Sequence, residues 1–277
     1  MAASPDGPDT IVLIHGLWMT PRSWEKWIER FESQGYRVVA PSWPNIEGAE
    51  PQELREHPDA LKDITVEAIL DHYESAIRGL DKPPIIMGHS FGGAFVQLLL
   101  DRGLGAAGVA ISSATVRGIP DLPLSTLRST LGVLGNPLNA RGKGVPITPE
   151  QFHYAFTNTL TLEESQAYYD RYAVPAASKV LFEGALANVK PGSPFKVHWD
   201  QDRAPLLFIG ATEDHVIPAK VARKNAKKYG KSGIEADFRE FPGRTHNIVG
   251  QDGWEEVADF ALSWAEEHAR PVAAVPA

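Results

Sequence analysis

Short apolar runs without alternation mark the chain at intervals: Ile11-Val12-Leu13-Ile14, Ile85-Ile86-Met87, Val109 to Ile111 and Leu206 to Ile209. A strand with both faces buried needs such a run, and strands of that kind belong to parallel sheets. Tyr36 to Ala40 supplies another strand. A weaker one comes from Ala236, Phe238 and Phe241 set against Asp237, Arg239 and Glu240. Between these runs the apolar period changes to that of a helix. Trp24, Trp27, Ile28 and Phe31 share one face, as do Val66, Ile69, Leu70, Tyr73, Ile77 and Leu80, and later Trp254, Val257, Ala258, Ala261 and Trp264. Thr20 before Pro21 reads as an N-cap with proline at the first helical position, and Gly35 ends that helix. Pro41 to about residue 62 reads as a loop. Strands alternating with helices predict an α/β domain: a mostly parallel sheet of about six strands flanked by helices.

The alternation stops between Thr115 and Arg203, a stretch far too long for a plain connection. It has to fold by itself. Its first part, to about Pro146, is rich in glycine and proline and reads as an irregular lid segment. Thr148-Pro149-Glu150-Gln151 and Thr161-Leu162-Glu163-Glu164 are capping boxes, so a helix starts at each, and a third is expected from Pro175 to about Asn188. The expected organisation is therefore a core of residues 1–114 and 204–277 with a helical cap of residues 115–203 inserted into it. Aromatic residues of the cap, Phe152 and Phe156 among them, either reach a substrate pocket or form the cap's own core. The tail after Arg270 reads as loose.

The chain has 277 residues, with 27 basic and 35 acidic side chains for a net charge of -8. Its average surface repels nucleic acid and anionic lipid, and no nucleic-acid partner is expected. It has no cysteine, hence no disulfide, no thiolate nucleophile and no cysteine-bound metal. Met1 to Thr10 lacks the basic and apolar regions of a secretory signal, and no run of about twenty apolar residues could span a membrane. The expectation is a soluble, cytoplasmic protein. Oligomeric state leaves no signal.

Chemistry concentrates where strands end. Gly88-His89-Ser90-Phe91-Gly92 stands between an apolar strand and the helical run Ala94 to Leu100, which is the form of a nucleophile elbow. There the serine occupies a sharp turn, and the residues two before and two after it must be small because strand and helix backbones pass close by. The helix begins just past Ser90, so its free N–H groups favour developing negative charge. Three more strand-end loops carry polar candidates: His15-Gly16-Leu17, Gly210 to Pro218 with Asp214, and Gly243 to Asn247 with His246. Gly103-Leu104-Gly105-Ala106-Ala107-Gly108 fits a dinucleotide fingerprint in letters only. It follows a helix and precedes a strand, so it reads as helix termination and turning. The basic positions Lys220, Arg223, Lys224, Lys227 and Lys231 of a helix starting at Pro218 read as a solvated face. No H-E-x-x-H or comparable spacing supports a metal, and no cofactor is expected.

Taken together, a His-Gly loop after an early strand, G-x-S-x-G, a G-x-x-x-D turn ending in Pro218 and Gly243-x-x-His246 resemble the α/β-hydrolase superfamily from about residue 11 to 268, the cap excepted. Only ten residues precede the first buried strand, so the antiparallel strands with which many members begin are expected to be absent. The resemblance implies Ser90 as nucleophile, His246 as the base that takes its proton, and Asp214 as the acid that holds the imidazole, with Glu213 and Asp121 as lesser rivals. It also implies an oxyanion hole from the backbone N–H groups of Leu17 and Phe91. His15 would support that loop by hydrogen bonding; Trp18, His89, Phe152 and Phe156 are the pocket candidates. The implied activity is hydrolysis of a small, partly hydrophobic ester or lactone through an acyl-serine. The same residues also serve carbon–carbon bond hydrolases, cofactor-free perhydrolases or haloperoxidases, and receptors that keep the pocket with little turnover. Haloacid and epoxide hydrolases are disfavoured, since their relatives on this fold carry aspartate where Ser90 stands.

Overall fold

The computed structural model describes residues 7–121 and 123–271. The expectation of a loose tail therefore falls almost wholly outside the described residues, as does most of the Met1–Thr10 segment. Six strands form one sheet: β1 (Thr10–Ile14), β2 (Arg37–Val39), β3 (Ile85–His89), β4 (Ala107–Ile111), β7 (Leu206–Ala211) and β8 (Ala236–Phe241), in the order β2-β1-β3-β4-β7-β8. Every neighbouring pair is parallel, as the apolar runs require.

Alternate residues of each strand serve opposite layers. Ile11 and Leu13 of β1 join the core under α1 (Glu25–Ser33) and α10 (Trp254–His268), where Trp24, Trp27, Phe31 and Val257 are buried. Val12 and Ile14 join the other core, under α3 (Val66–Arg78), α4 (Phe91–Asp101) and α9 (Ala219–Lys231). Gly103 and Gly105, both with φ above 70°, turn the chain from α4 into β4, so these glycines terminate a helix. On α9, Arg223 pairs with Glu240 and Lys224 with Asp121. Among the described residues no helix is long and apolar enough to cross a membrane.

Three stretches depart from the pattern expected. Within the presumed loop before residue 62 lie α2 (Pro51–Glu56) and a 3-10 turn, Pro58–Leu61. Proline at the first position of each starts them, and single buried leucines, Leu54 and Leu61, anchor them, which is too little apolar repetition to read as a helix. The segment expected to be irregular contains α5 (Leu124–Leu134) and a 3-10 turn at Pro137–Arg141. The inward side of α5 buries Thr130 and Val133 while Leu124, Leu127 and Leu131 face out, the inverse of the usual helical pattern. The third cap helix is shorter than expected.

Between β4 and β7 the remaining elements are β5 (Gly144–Val145), α6 (Pro149–Phe156), α7 (Leu162–Tyr172), β6 (Ala176–Ala177) and α8 (Ser178–Ala185), with β5 and β6 forming a small antiparallel ribbon. Both capping boxes are formed. Thr148 and Gln151 exchange bonds of 3.3 and 2.9 Å, and Thr161 and Glu164 bonds of 3.2 and 2.8 Å. Phe152, Phe156, Val180 and Phe195 belong to the same apolar cluster as α3, α4 and α9, so the insertion is packed continuously onto the sheet layer beneath it.

Candidate active site

β3 ends at His89 and α4 begins at Phe91, leaving Ser90 alone to make the turn at φ 59° and ψ −119°. A residue with a Cβ takes that conformation at a cost, and surrounding bonds must hold it. Ser90 donates its N–H to the Ile111 carbonyl at 2.9 Å, and its own carbonyl accepts from Ala114 at 3.0 Å and Gly93 at 3.1 Å. The close backbone approach is direct. A Cβ on Gly88 would strike the Gly92 carbonyl, and one on Gly92 would strike the Ile14 carbonyl oxygen. The His15-Gly16-Leu17 loop lies against the elbow as well, since a Cβ on Gly16 would stand 2.6 Å from that of Ser90.

The loop after β8 brings His246 to the serine, with Nε2 3.0 Å from Ser90 Oγ and Nδ1 2.7 Å from Asp214 Oδ2. Both the His246 and Asp214 side chains are fully buried. A carboxylate beside Nδ1 requires the proton there, so the Nε2 lone pair faces the hydroxyl. The other Asp214 oxygen accepts the N–H groups of Val216 at 2.8 Å and Ile217 at 2.7 Å, which fix the carboxylate in the turn after β7. Glu213 is exposed and accepts from Thr212, and Asp121 is paired with Lys224; neither meets the imidazole.

Two other histidines support this arrangement. His89 donates Nε2–H to the His246 carbonyl at 2.8 Å, its ring 4.6 Å from that of His246. Burial and the neighbouring imidazole hold its pKa well below the ordinary value, so it stays neutral. His15 donates Nδ1–H to the Gly16 carbonyl at 3.0 Å, accepts the Trp43 N–H at Nε2 and stacks on the Trp43 ring at 4.9 Å. Complete burial lowers its pKa from 6.5 to about 4. Trp43 had no signal in the sequence beyond its place in a proline-flanked loop.

Beside Ser90 lies a cavity of about 90 Å³. Trp18 and Phe91 line it with Ala114 and Thr115 after β4, Asp121 and Pro123, Thr126, Thr130 and Leu134 of α5, Leu181, Gly184 and Ala185 of α8, and Val216, Ile217 and Val221. Of the four pocket candidates only Trp18 is among the lining residues. Phe152 and Phe156 stack with ring centroids 4.8 Å apart, and Phe156 meets the His246 ring edge to face with centroids 5.0 Å apart, so Phe156 buttresses the imidazole and Phe152 backs Phe156. The Phe156 carbonyl also accepts the Asn247 N–H at 3.1 Å, tying α6 to the histidine loop. The α5 and α8 lining was missed because periodicity does not say which face of a short helix meets a cavity. Val216 and Ile217 could have been found, being the apolar residues that follow Asp214. Among the described residues no group of three or more acidic or histidine side chains is arranged to hold a metal ion.

The sequence profile of the Alpha/beta hydrolase family matches residues 11–260. Solved structures similar to this chain include an extracellular α/β-hydrolase from a Paenibacillus species, 22% identical with a TM-score of 0.66, covering 95% of this chain and 100% of the other. A monoacylglycerol lipase from Paleococcus ferrophilus is 22% identical with a TM-score of 0.64, covering 95% and 96%. Polyneuridine aldehyde esterase is 16% identical with a TM-score of 0.63, covering 93% and 99%. A search among curated proteins finds no match. With a family profile spanning nearly the whole chain and the same fold in each of these structures, the chain belongs to the α/β-hydrolase family.

Proposed function

We propose that this chain hydrolyses carboxylic esters or lactones of small, partly hydrophobic molecules through an acyl-serine intermediate. The reading is carried by one observation: a buried His246 hydrogen-bonded at one nitrogen to Ser90 and at the other to Asp214, beside an apolar cavity. A serine hydroxyl is a weak nucleophile unless a base takes its proton during attack. In this reading Ser90 Oγ bonds to the substrate carbonyl carbon while its proton passes to His246 Nε2, and Asp214 stabilises the resulting imidazolium. The oxyanion accepts hydrogen bonds from the N–H groups of Leu17 and Phe91, the latter at the N-terminus of α4 where the helix dipole favours negative charge. Collapse expels the alcohol oxygen, which takes the proton from Nε2. Water then repeats the sequence on the acyl-serine, releasing the acid and freeing Ser90. Neighbours that include an esterase and a lipase agree with this reading at the level of the fold.

The test is hydrolysis of p-nitrophenyl esters from short to long acyl chains beside Ser90→Ala. Turnover lost in the variant, with an optimum in chain length, is the expected outcome. A rate unchanged by Ser90→Ala removes the acyl-serine route. A complete lack of turnover favours carbon–carbon chemistry or ligand reception on the same residues.

A further inference from the structure

Every exposed large hydrophobic side chain among the described residues lies in the insertion between β4 and β7, and none on the sheet and its flanking helices. Three of them share one side of α5: Leu124, Leu127 and Leu131, at 85%, 40% and 57% exposure, spaced three and four residues apart. Leu138, 53% exposed, follows in the 3-10 turn that packs against α5. A scattered exposed leucine needs no explanation, but a stripe of them does.

Charge says what covers the stripe. From Pro123 to Pro149 the chain carries Arg128, Arg141 and Lys143 and no carboxylate, flanked by Asp121, which pairs with Lys224, and by the exposed Glu150 at the start of α6, although the protein as a whole has a net charge of -8. Arg128 lies over the Tyr154 ring at 4.0 Å; Arg141 and Lys143 enter no ion pair among the described residues. Arg128 follows Leu127 on α5 and Arg141 follows Leu138 by three residues, so two copies of this segment brought together would bring like charges together. An anionic lipid surface offers the complement to both features, acyl chains for the leucines and headgroups for the cations. We propose that the leucine side of α5, with Leu138 and Arg141, docks in the plane of an anionic lipid surface.

The geometry has a functional corollary. Thr126, Thr130 and Leu134 of the same helix line the cavity beside Ser90, so α5 would stand between lipid and active site, within reach of an apolar molecule leaving the lipid phase. Docking does not require hydrolysis, and binding is read without it.

The experiment is flotation of the full chain with vesicles of phosphatidylcholine containing about a third phosphatidylglycerol, beside vesicles of phosphatidylcholine alone. Wild type is expected to float with the anionic vesicles, and less with the neutral ones. Leu127→Asp combined with Leu131→Asp lowers the bound fraction by about tenfold or more, because each leucine exchanges buried apolar area for a charge. Arg141→Glu lowers binding by about fivefold, on anionic vesicles only. These side chains are exposed, so thermal melting of the variants should match wild type and rule out misfolding as the cause. Failure of wild type to float on anionic vesicles overturns the proposal, as does flotation that survives in the double aspartate variant. A wild-type dimer in sedimentation equilibrium that the same variant turns into monomer also overturns it, by assigning the face to a second copy.

Discussion

Acid should destabilise this protein through a residue that does no chemistry. His15 is buried, hydrogen-bonded in its neutral form between the Gly16 carbonyl and the Trp43 N–H, and its pKa falls from 6.5 to about 4. The unfolded chain therefore binds a proton at His15 at a pH where the folded chain does not. Stability from this source is complete above 6.5 and drains away as pH falls from 6.5 toward 4. At about 1.4 kcal/mol per pH unit the whole gap amounts to about 3 kcal/mol, of which about 2 kcal/mol is gone by pH 5. His89, also neutral and buried, adds to the loss in the same direction. The assay is urea unfolding at about pH 8 and about pH 5 for wild type and His15→Asn, which keeps a short donor toward Gly16 but does not titrate. The variant should be weaker at both pH values, yet its difference between them should shrink by about 2 kcal/mol. If wild type and variant lose the same stability on acidification, the neutral burial of His15 is not a source of acid sensitivity.

Three further outcomes follow from contacts at the site. Asp214→Asn leaves the turn after β7 in place but deprives the Nδ1 proton of its carboxylate, so kcat on an ester should drop on the order of 10³- to 10⁴-fold with little change in melting temperature. Gly92→Ala puts a methyl into the Ile14 carbonyl; a loss of about 3 kcal/mol or more in urea unfolding is expected, and a variant of wild-type stability would contradict the close approach. A Cβ at Gly184 would stand 2.9 Å from the Phe91 ring, so Gly184→Val narrows the cavity and should shift the ratio of kcat/KM values by about tenfold toward shorter acyl chains.

Much of the fold could be read from the sequence because buried parallel strands leave a signal at the level of single residues. Ile11 to Ile14 and Leu206 to Ile209 have to be apolar on both faces, and each run is too short to be a buried helix. The elbow was legible for a related reason, since backbone contacts at Gly88 and Gly92 leave no choice of residue. Helix α5 was hidden by its leucines, which face outward, and α2 by its shortness. The capping boxes located the starts of α6 and α7, but a cap says where a helix begins and nothing about which neighbour its aromatic face meets. Sequence therefore offers Phe152 and Phe156 as pocket candidates without showing that Phe156 packs on the His246 ring and Phe152 on Phe156.

The order of strands also bears on how the chain is made. β1, β2, β3 and β4 leave the ribosome first and are neighbours in the sheet, so they can pair as soon as they emerge. The outer edge of β4 then waits for β7 while the whole insertion is synthesised. An apolar strand with its N–H and C=O groups unpaired is an invitation to aggregate. Through that interval Ser90 already sits on its elbow but has neither Asp214 nor His246. A nascent chain would thus expose a sticky edge, with Ser90 turned on its elbow and both the imidazole and the carboxylate behind it still absent, until the segment carrying Asp214 and His246 has followed.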